Sequence, residues 1–406
     1  MNRENFKPFK VVIVGGGFSG LVSSIILSQK FGGENILLIE KLSRVGKKIL
    51  STGNGQCNLS NIDMDLSHFH TGSNYDLSPI FCDNSYKNLE KFFNELGIML
   101  INEDGKFYPM SKQASSVLDA LRFKLEELKT NVILEEKVVS LKKEDFFSIE
   151  LASGKILYAN NVILAVGGSA QKHLGTDGSS YSLATGFNHG ITGLYPSLVQ
   201  LKTDAKSILG LKGLKHKATI KAIVSNKVVA KKEGEILFTE YGVSGNAIFY
   251  LSSYLVGKDA SISVDFFSSL SKDQLKDFLL KKLKSLKYVT LEYLLLGLMP
   301  NKIAIRCLKN LGFDNLSKKP TNQDIDVIAS GLKDYKIKIT GSLGFDYAQV
   351  TKGGLVLDDF NIKTLESKLC KGLYATGEVL DVDGDCGGYN LQWAFSSAVV
   401  VANAIK

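Results

Sequence analysis

The segment Val11-Val12-Ile13-Val14-Gly15-Gly16-Gly17-Phe18-Ser19-Gly20, followed by Glu40 at the end of Asn35-Ile36-Leu37-Leu38-Ile39-Glu40, constrains this chain more than any other stretch. An apolar strand, a glycine turn, a helix from about Ser19 to Phe31, a second strand and an acid together read as a dinucleotide-binding unit. Gly15 permits the tight turn off the first strand. A side chain at Gly17 would collide with an approaching pyrophosphate, and one at Gly20 would hold the helix away from the sheet. The helix directs its unpaired N–H groups and the positive end of its dipole at the phosphates. Glu40 ends an apolar strand, where a carboxylate accepts hydrogen bonds from both ribose hydroxyls and disfavours a 2′-phosphate.

Composition narrows the class. With 406 residues the chain is long enough for two or three domains, and its 44% hydrophobic and 22% charged residues are those of an ordinary globular protein. No run approaches the roughly 18 consecutive apolar residues of a membrane span, and the apolar run after Lys10 collapses into glycines, unlike an export signal. Cys57, Cys82, Cys307, Cys370 and Cys386 are odd in number and contain no CxxC pair. A disulfide framework, a zinc knuckle and a redox dithiol are therefore not expected; no metal is anticipated, and the cytoplasm is the natural compartment. The net charge of +8 raises the question of an acidic partner. Arginine is confined to Arg3, Arg44, Arg122 and Arg306, and lysines run along the whole chain, so a solvated surface is favoured over nucleic-acid binding.

Further along, Ser116 to Lys129 has helical spacing of Val117, Leu118, Leu121, Leu125 and Leu128. Val132–Leu134, Val138–Leu141, Phe146–Leu151 and Lys155–Tyr158 read as a small antiparallel meander, after which Asn161 to Gly168 returns as a buried strand ending in glycines. Between about Gly193 and Lys338 the character changes to an insertion. Its first half alternates like sheet, as in Ala218 to Val224 and Ser261 to Asp265. Its second half is helical, with a capping box at Ser271-Lys272-Asp273-Gln274 and an apolar face of Leu275, Phe278, Leu279, Leu283 and Leu286. The chain end returns to a strand, Gly372 to Glu378, then an Asp- and Gly-rich turn and a helix from about Asn390. The expected divisions are residues 1–192, 193–338 and 339–406.

Three segments carry a family resemblance. Val45-Gly46-Lys47-Lys48-Ile49-Leu50-Ser51-Thr52-Gly53-Asn54-Gly55-Gln56-Cys57-Asn58-Leu59-Ser60-Asn61, the stretch Gly234 to Ala247, and Gly377-Glu378-Val379-Leu380-Asp381-Val382-Asp383-Gly384-Asp385-Cys386-Gly387-Gly388-Tyr389-Asn390-Leu391-Gln392-Trp393-Ala394 resemble signatures of a bacterial FAD flavoprotein family. Its members are described as NAD(P)/FAD-dependent oxidoreductases, aminoacetone oxidases or 3-dehydro-bile acid Δ4,6-reductases. The resemblance implies an α/β fold: a Rossmann-like FAD-binding domain built from both ends of the chain, interrupted by a substrate domain of β-barrel and helical parts. It implies FAD as cofactor, with Gly15, Gly17, Phe18, Ser19, Gly20, Glu40 and Lys41 at the ADP half. Gly46, Lys47, Lys48, Gln56, Cys57 and Asn58 are expected contacts from the second signature. Val138, Ala165 and Gly167 are expected along the sheet, and Gly377, Glu378, Gly388, Asn390 and Leu391 at the reacting half. The family carries arginine where this chain has Gln56, so Lys47 or Lys48 is expected to supply that charge.

Flavin chemistry resides in the ring, and the protein supplies position and electrostatics. By the same resemblance, the N–H groups of Gly388 to Leu391 face the ring, and Glu378 lies near the ribityl hydroxyls or pyrophosphate. Cys57 and Cys386 are candidate redox thiols, but a buried hydrophobe without a resolving partner is the commoner role of free cysteine. His173 and His189 follow Gly168 and are weighed as bases against the commoner solvated or capping histidine. The loop Gln349 to Gly354 is expected to border the substrate side of the flavin. No second glycine fingerprint follows the first, so NAD(P)H would dock only transiently, or electrons would pass between substrate and oxygen. The leading expectation is hydride transfer between FAD and a small organic molecule. An RNA-modifying flavoprotein and a non-catalytic flavin sensor are the rivals.

Overall fold

A computed structural model describes residues 8–73, 75–81 and 85–406, so Arg3 and Cys82 lie outside the described residues. The described residues fall into two compact units, Met1–Tyr195 with Val350–Lys406, and Pro196–Gln349.

In the first unit the strands Phe9–Val14, Ile36–Ile39 and Asn131–Ile133 pair in parallel, and Phe9–Val14 also pairs in parallel with Ile156–Leu164. Val11, Val12, Ile13 and Ile36 are fully buried, as expected of parallel strands covered on both faces. The helix Phe18–Phe31 follows the first strand, and Leu21, Val22 and Ile25 fix it to the core. Two sequence expectations change here. Asn131–Ile133 is not part of the meander; it is the parallel strand beside Ile36–Ile39, because its neighbours in space come from the dinucleotide unit. Ile156–Leu164 is one nine-residue strand rather than two. Its first half pairs antiparallel with Phe147–Leu151, and its last residues pair in parallel with Leu373–Ala375 from the chain end. Asn160 and Asn161 favour turns, but pairing of this segment with Phe9–Val14 and Phe147–Leu151 holds it extended.

In the second unit, Leu201–Thr203, Gly242–Ser244, Lys227–Phe238, Lys215–Val224, Ala260–Asp265 and Tyr335–Ser342 close into a six-stranded barrel. The helices Lys272–Ser285, Asn301–Asn310 and Asn322–Lys333 lie between the fifth and sixth strands in sequence. The helical piece is therefore set inside the barrel's chain path rather than after it. The expected end of the insertion at residue 338 falls within the closing strand, whose alternation Tyr335, Ile337 and Ile339 points into the core. The capping box at Ser271 and Gln274 forms with both hydrogen bonds. Leu275 and Leu279 are buried, whereas Phe278 and Leu286, expected on the same face, are exposed. Among the described residues no helix is long and apolar enough to cross a membrane.

Candidate cofactor site

The glycine turn leaves the first strand with Gly15 in the left-handed region at φ +105, and Gly15 N donates to Ile39 O at 2.8 Å. A Cβ at Gly15 would lie 2.5 Å from Ala165 O, and one at Gly20 would lie 2.0 Å from Gly15 O. Both glycines are thus required by the packing of strand, turn and helix. Gly17 is different: a Cβ there would meet nothing within 4 Å. Space at that point, in front of a helix whose first turn receives no side-chain cap, is what an approaching pyrophosphate needs.

Glu40 sits where expected, at the end of Ile36–Ile39 and only 9% exposed. Its Oε2 accepts from Gly16 N at 2.7 Å and its Oε1 from Leu42 N at 2.9 Å, so the acid also braces the glycine turn. Gly46 N donates to Gly16 O at 2.7 Å, which seats the second signature against the first. Lys41 pairs with Asp177 at 3.1 Å. Partial burial opposes ionisation of Asp177, but the Ser179 hydroxyl and backbone N–H, with Lys41, outweigh it and hold the carboxyl at about 2. Glu136 N donates to Glu40 O, two residues before the buried Val138, so that strand starts beside the acid. Phe18 turns its ring inward onto Phe93, with centroids 6.2 Å apart, leaving only its backbone for a ligand.

The chain end meets this region directly. Gly377 has φ +75, and a Cβ there would lie 2.7 Å from Ser19 Oγ. Gly377 N donates to Ser397 Oγ and Trp393 Nε1 donates to Gly377 O, tying the turn to the final helix. Glu378 is held by two partners: Lys48 Nζ donates to Oε2 at 2.8 Å and Thr351 N to Oε1 at 2.8 Å. Thr351 Oγ1 in turn accepts from Ser169 N and Ala170 N, fixing the glycine-rich turn after Gly167. Lys48 is therefore engaged with Glu378, and Lys47 reaches His173 O at 3.4 Å.

The second signature folds as short helical turns over Lys47–Gly55, with Gly53 and Asn54 left-handed. Gln56 is exposed, whereas Cys57 is buried with φ +60, and burial pushes its thiol up to about 12 despite a hydrogen bond with Thr52. A thiol that stays protonated is a packing residue, not a nucleophile. Asn58 Oδ1 is buried without a hydrogen-bond partner. It lies against Gly388, where a Cβ would be 2.8 Å from that oxygen and 2.4 Å from Ser60 O. Gly388, at φ +99, begins the helix Tyr389–Ala404, whose N-terminus also has no side-chain cap. Asn390 does not present its amide to a ligand: Oδ1 accepts from Gly384 N and Nδ2 donates to Gly384 O, clamping the preceding turn. Leu391 is half-buried.

Other candidates separate from the site. His189 is buried, stacked on Phe360 and bonded to Ser367 Oγ at 2.9 Å, and burial lowers its pKa, so it is a neutral packing residue. His173 is exposed. Gln349 N donates to Leu198 O in the second unit, and Thr351 belongs to the first. Sequence reasoning missed a cluster of His68, His70 and Asp385 beside the final helix; the alternate histidines and the Asp-rich turn were its available signals.

The two uncapped helix N-termini, the open position at Gly17 and the orphaned Asn58 oxygen fit FAD, and the protein is an FAD-dependent oxidoreductase. It belongs to the HI0933-like family, whose Rossmann domain matches residues 9–404. It is 35% identical over 404 residues to the 3-dehydro-bile acid delta(4,6)-reductase of Clostridium scindens, covering 97% of this chain and 98% of the relative. It is 29% identical over 402 residues to the ribosomal RNA dihydrouridine synthase of Escherichia coli, covering 96% of each. A crystal structure of 3-ketosteroid-delta4-(5alpha)-dehydrogenase from Rhodococcus jostii has the same fold. Its TM-score is 0.51 at 14% identity, over 100% of this chain and 98% of that one.

Proposed function

We propose that the protein reduces a carbon–carbon double bond conjugated to a carbonyl, a hydride adding to the β-carbon and a proton to the α-carbon. The observation that carries this reading is the 35% identity to the bile acid reductase along both units. The second relative's name describes the same chemistry on uracil, whose double bond is likewise conjugated to a carbonyl. Bound FAD supplies two-electron hydride-transfer chemistry, replenished by NAD(P)H as the transient donor.

The residues we assign to holding it are Gly15 to Gly20 at the pyrophosphate and Glu40 with Lys41 at the adenosine. Gly46 to Lys48, Asn58, Ala165, Gly167, Gly377 and Glu378 are assigned to the middle, and the backbone of Gly388 to Leu391 to the ring. Glu378 keeps its carboxylate fixed between Lys48 and Thr351, and the N–H groups at the start of the final helix stabilise negative charge on a bound ring. The cysteine pattern supports a reducing, cytoplasmic compartment.

The leading substrate is a small enone of the steroid type. A second reading, a uracil base in RNA, is favoured by one observation. Residues 196–349 hold 24 Lys and Arg against 14 Asp and Glu, a net +10, whereas the rest of the chain holds 25 against 27, a net −2. The chain's +8 thus resides entirely in the second unit. On its long hairpin Lys221 stands directly opposite Lys231, a pairing that costs stability in the absence of a counter-charge.

Anaerobic incubation of the FAD-loaded protein with NADH or NADPH, and either a 3-oxo-Δ4 steroid or unmodified ribosomal RNA, tests both readings. Gain of two hydrogens by the steroid supports the first, and dihydrouridine formed with steep salt dependence supports the second. Reduction of neither, with flavin bound and reduced, would overturn the proposed chemistry.

A further inference from the structure

Asp385 is a nearly buried carboxylate in the turn before the final helix, and it receives two histidines. His68 Nδ1 lies 2.9 Å from its Oδ2, and His70 Nε2 lies 2.8 Å from its Oδ1. The other ring nitrogen of His68, Nε2, lies 3.1 Å from Asp63 Oδ2. An ionised carboxylate only accepts hydrogen bonds, and a neutral imidazole carries a single N–H. Neutral His68 can satisfy one of its two carboxylates but not both. The geometry therefore favours the imidazolium. Burial opposes that charge, but the hydrogen bonds to Asp385 and Asp63 outweigh it and raise the pKa of His68 above the ordinary histidine value.

The charged ring is coupled to the helix start at several points. It stacks on Tyr389, the first residue of the helix, with centroids 4.4 Å apart and planes at 20°. Asp385 N donates to His68 O at 2.9 Å, and Asp383–Gly384 pairs antiparallel with Phe69–His70. Asn61 Nδ2 donates to Gly387 O at 3.0 Å. The ionisable groups around His68 are Asp63 and Asp65 on its own segment, His70 on the paired strand, Asp383 and Asp385 on the turn, and Tyr389 on the helix.

We propose that the His68–Asp385–His70 cluster positions the ring-facing turn of the cofactor site, His68 supplying a fixed positive charge beside the N-terminus of the final helix. This rests on the reading that the turn from Asp381 to Leu391 holds the reacting half of FAD. His68 is a positioning residue that acts through Tyr389 and Asp385. When it loses its proton, the bond to one of its two carboxylates, Asp63 or Asp385, is lost and the local positive potential falls. The sign follows from the raised pKa: the contribution is complete below the ordinary histidine value and disappears as pH rises through the folded one.

The test compares wild type with His68→Gln and His70→Gln, each as full-length protein with and without FAD. The midpoint potential of bound FAD and the melting temperature of the FAD-free protein are measured across neutral to alkaline pH. In wild type both fall by an extra step above the ordinary histidine range. His68→Gln abolishes both steps and holds reduced relative to oxidised FAD roughly tenfold more weakly, a shift of about −30 mV for two electrons. His70→Gln, which leaves His68 between its two carboxylates, keeps the step. A potential that is unchanged in His68→Gln while FAD is bound overturns the inference, even if the melting temperature moves. Failure of the wild type to bind FAD instead overturns the cofactor reading on which it rests.

Discussion

The two units bury different chemistry. Among the described residues, the buried carboxylates Glu40, Asp381, Asp383 and Asp385 all belong to the Rossmann unit, whereas the buried polar residues of the barrel unit are serines and threonines alone. Burying a carboxylate costs free energy unless donors surround it, and a fold gains nothing in packing from doing so. The Rossmann unit meets that cost with backbone N–H groups and histidines, at the strand ends and the turn where FAD is assigned. Asp381 illustrates it: burial raises its pKa, while Gly72 N and Thr192 pull the other way. The barrel unit keeps its charge outside, with a net +10 on its residues. The buried carboxylates thus lie where we assign the cofactor, while the second unit carries its charge on its surface.

The sharpest test of this division uses two glycines in one turn. Gly20→Ala puts a Cβ 2.0 Å from Gly15 O and is expected to destabilise the FAD-free protein by roughly 1–3 kcal/mol or more, seen as a lower denaturant midpoint. Gly17→Ala meets no protein atom, so it should leave that midpoint unchanged and weaken FAD binding about tenfold or more by fluorescence titration. Equal effects of the two on the FAD-free protein would show that the open space at Gly17 has no ligand purpose.

Charge on the barrel gives the next effect. Lys231→Glu relieves the cross-strand repulsion with Lys221 and is expected to stabilise the free protein by about 0.2–1 kcal/mol. If RNA is the substrate, the same change reduces the dependence of log affinity on log salt by about one or more. Steroid reduction would be unaffected.

A smaller effect concerns acid. Asp177, held at about 2 by Ser179 and Lys41 against partial burial, contributes stability above its ordinary value that is lost as pH falls toward 2. Asp177→Asn should lower stability modestly at neutral pH, because solvent screens the partly exposed pair, and flatten the acid limb so that variant and wild type converge near pH 2. Smallest of all, Cys57→Ser should not move the flavin potential, whereas thiol labelling should reach exposed Cys386 first. Rapid labelling of Cys57 would contradict its buried, protonated state.

Much of the Rossmann unit was legible because its constraints are local. Gly15, Gly20 and Glu40 are dictated by a turn, a close helix approach and a strand end within one βαβ stretch. The Ser271–Gln274 capping box was readable for the same reason. The edge strand Asn131–Ile133 was not, since three residues give no period and their partner lies almost a hundred positions earlier. The barrel's closing strand was divided by the expected boundary because the intervening helices hid that it completes a sheet begun at Leu201.

The sequence by itself determined the dinucleotide turn and its glycines, because these follow from backbone sterics within a few residues, while FAD and the two-part domain were what the resemblance of three longer segments implied. The tertiary structure decided which side chains face one another. Lys48 meets Glu378 and Ser60 meets Gln392 across more than 300 positions, and His68 meets Asp385 across a similar span. No spacing rule predicts such pairs, since they exist only where the sheet brings both chain ends to one turn. That turn is also where the hydrogen bonds that raise the pKa of His68 are made.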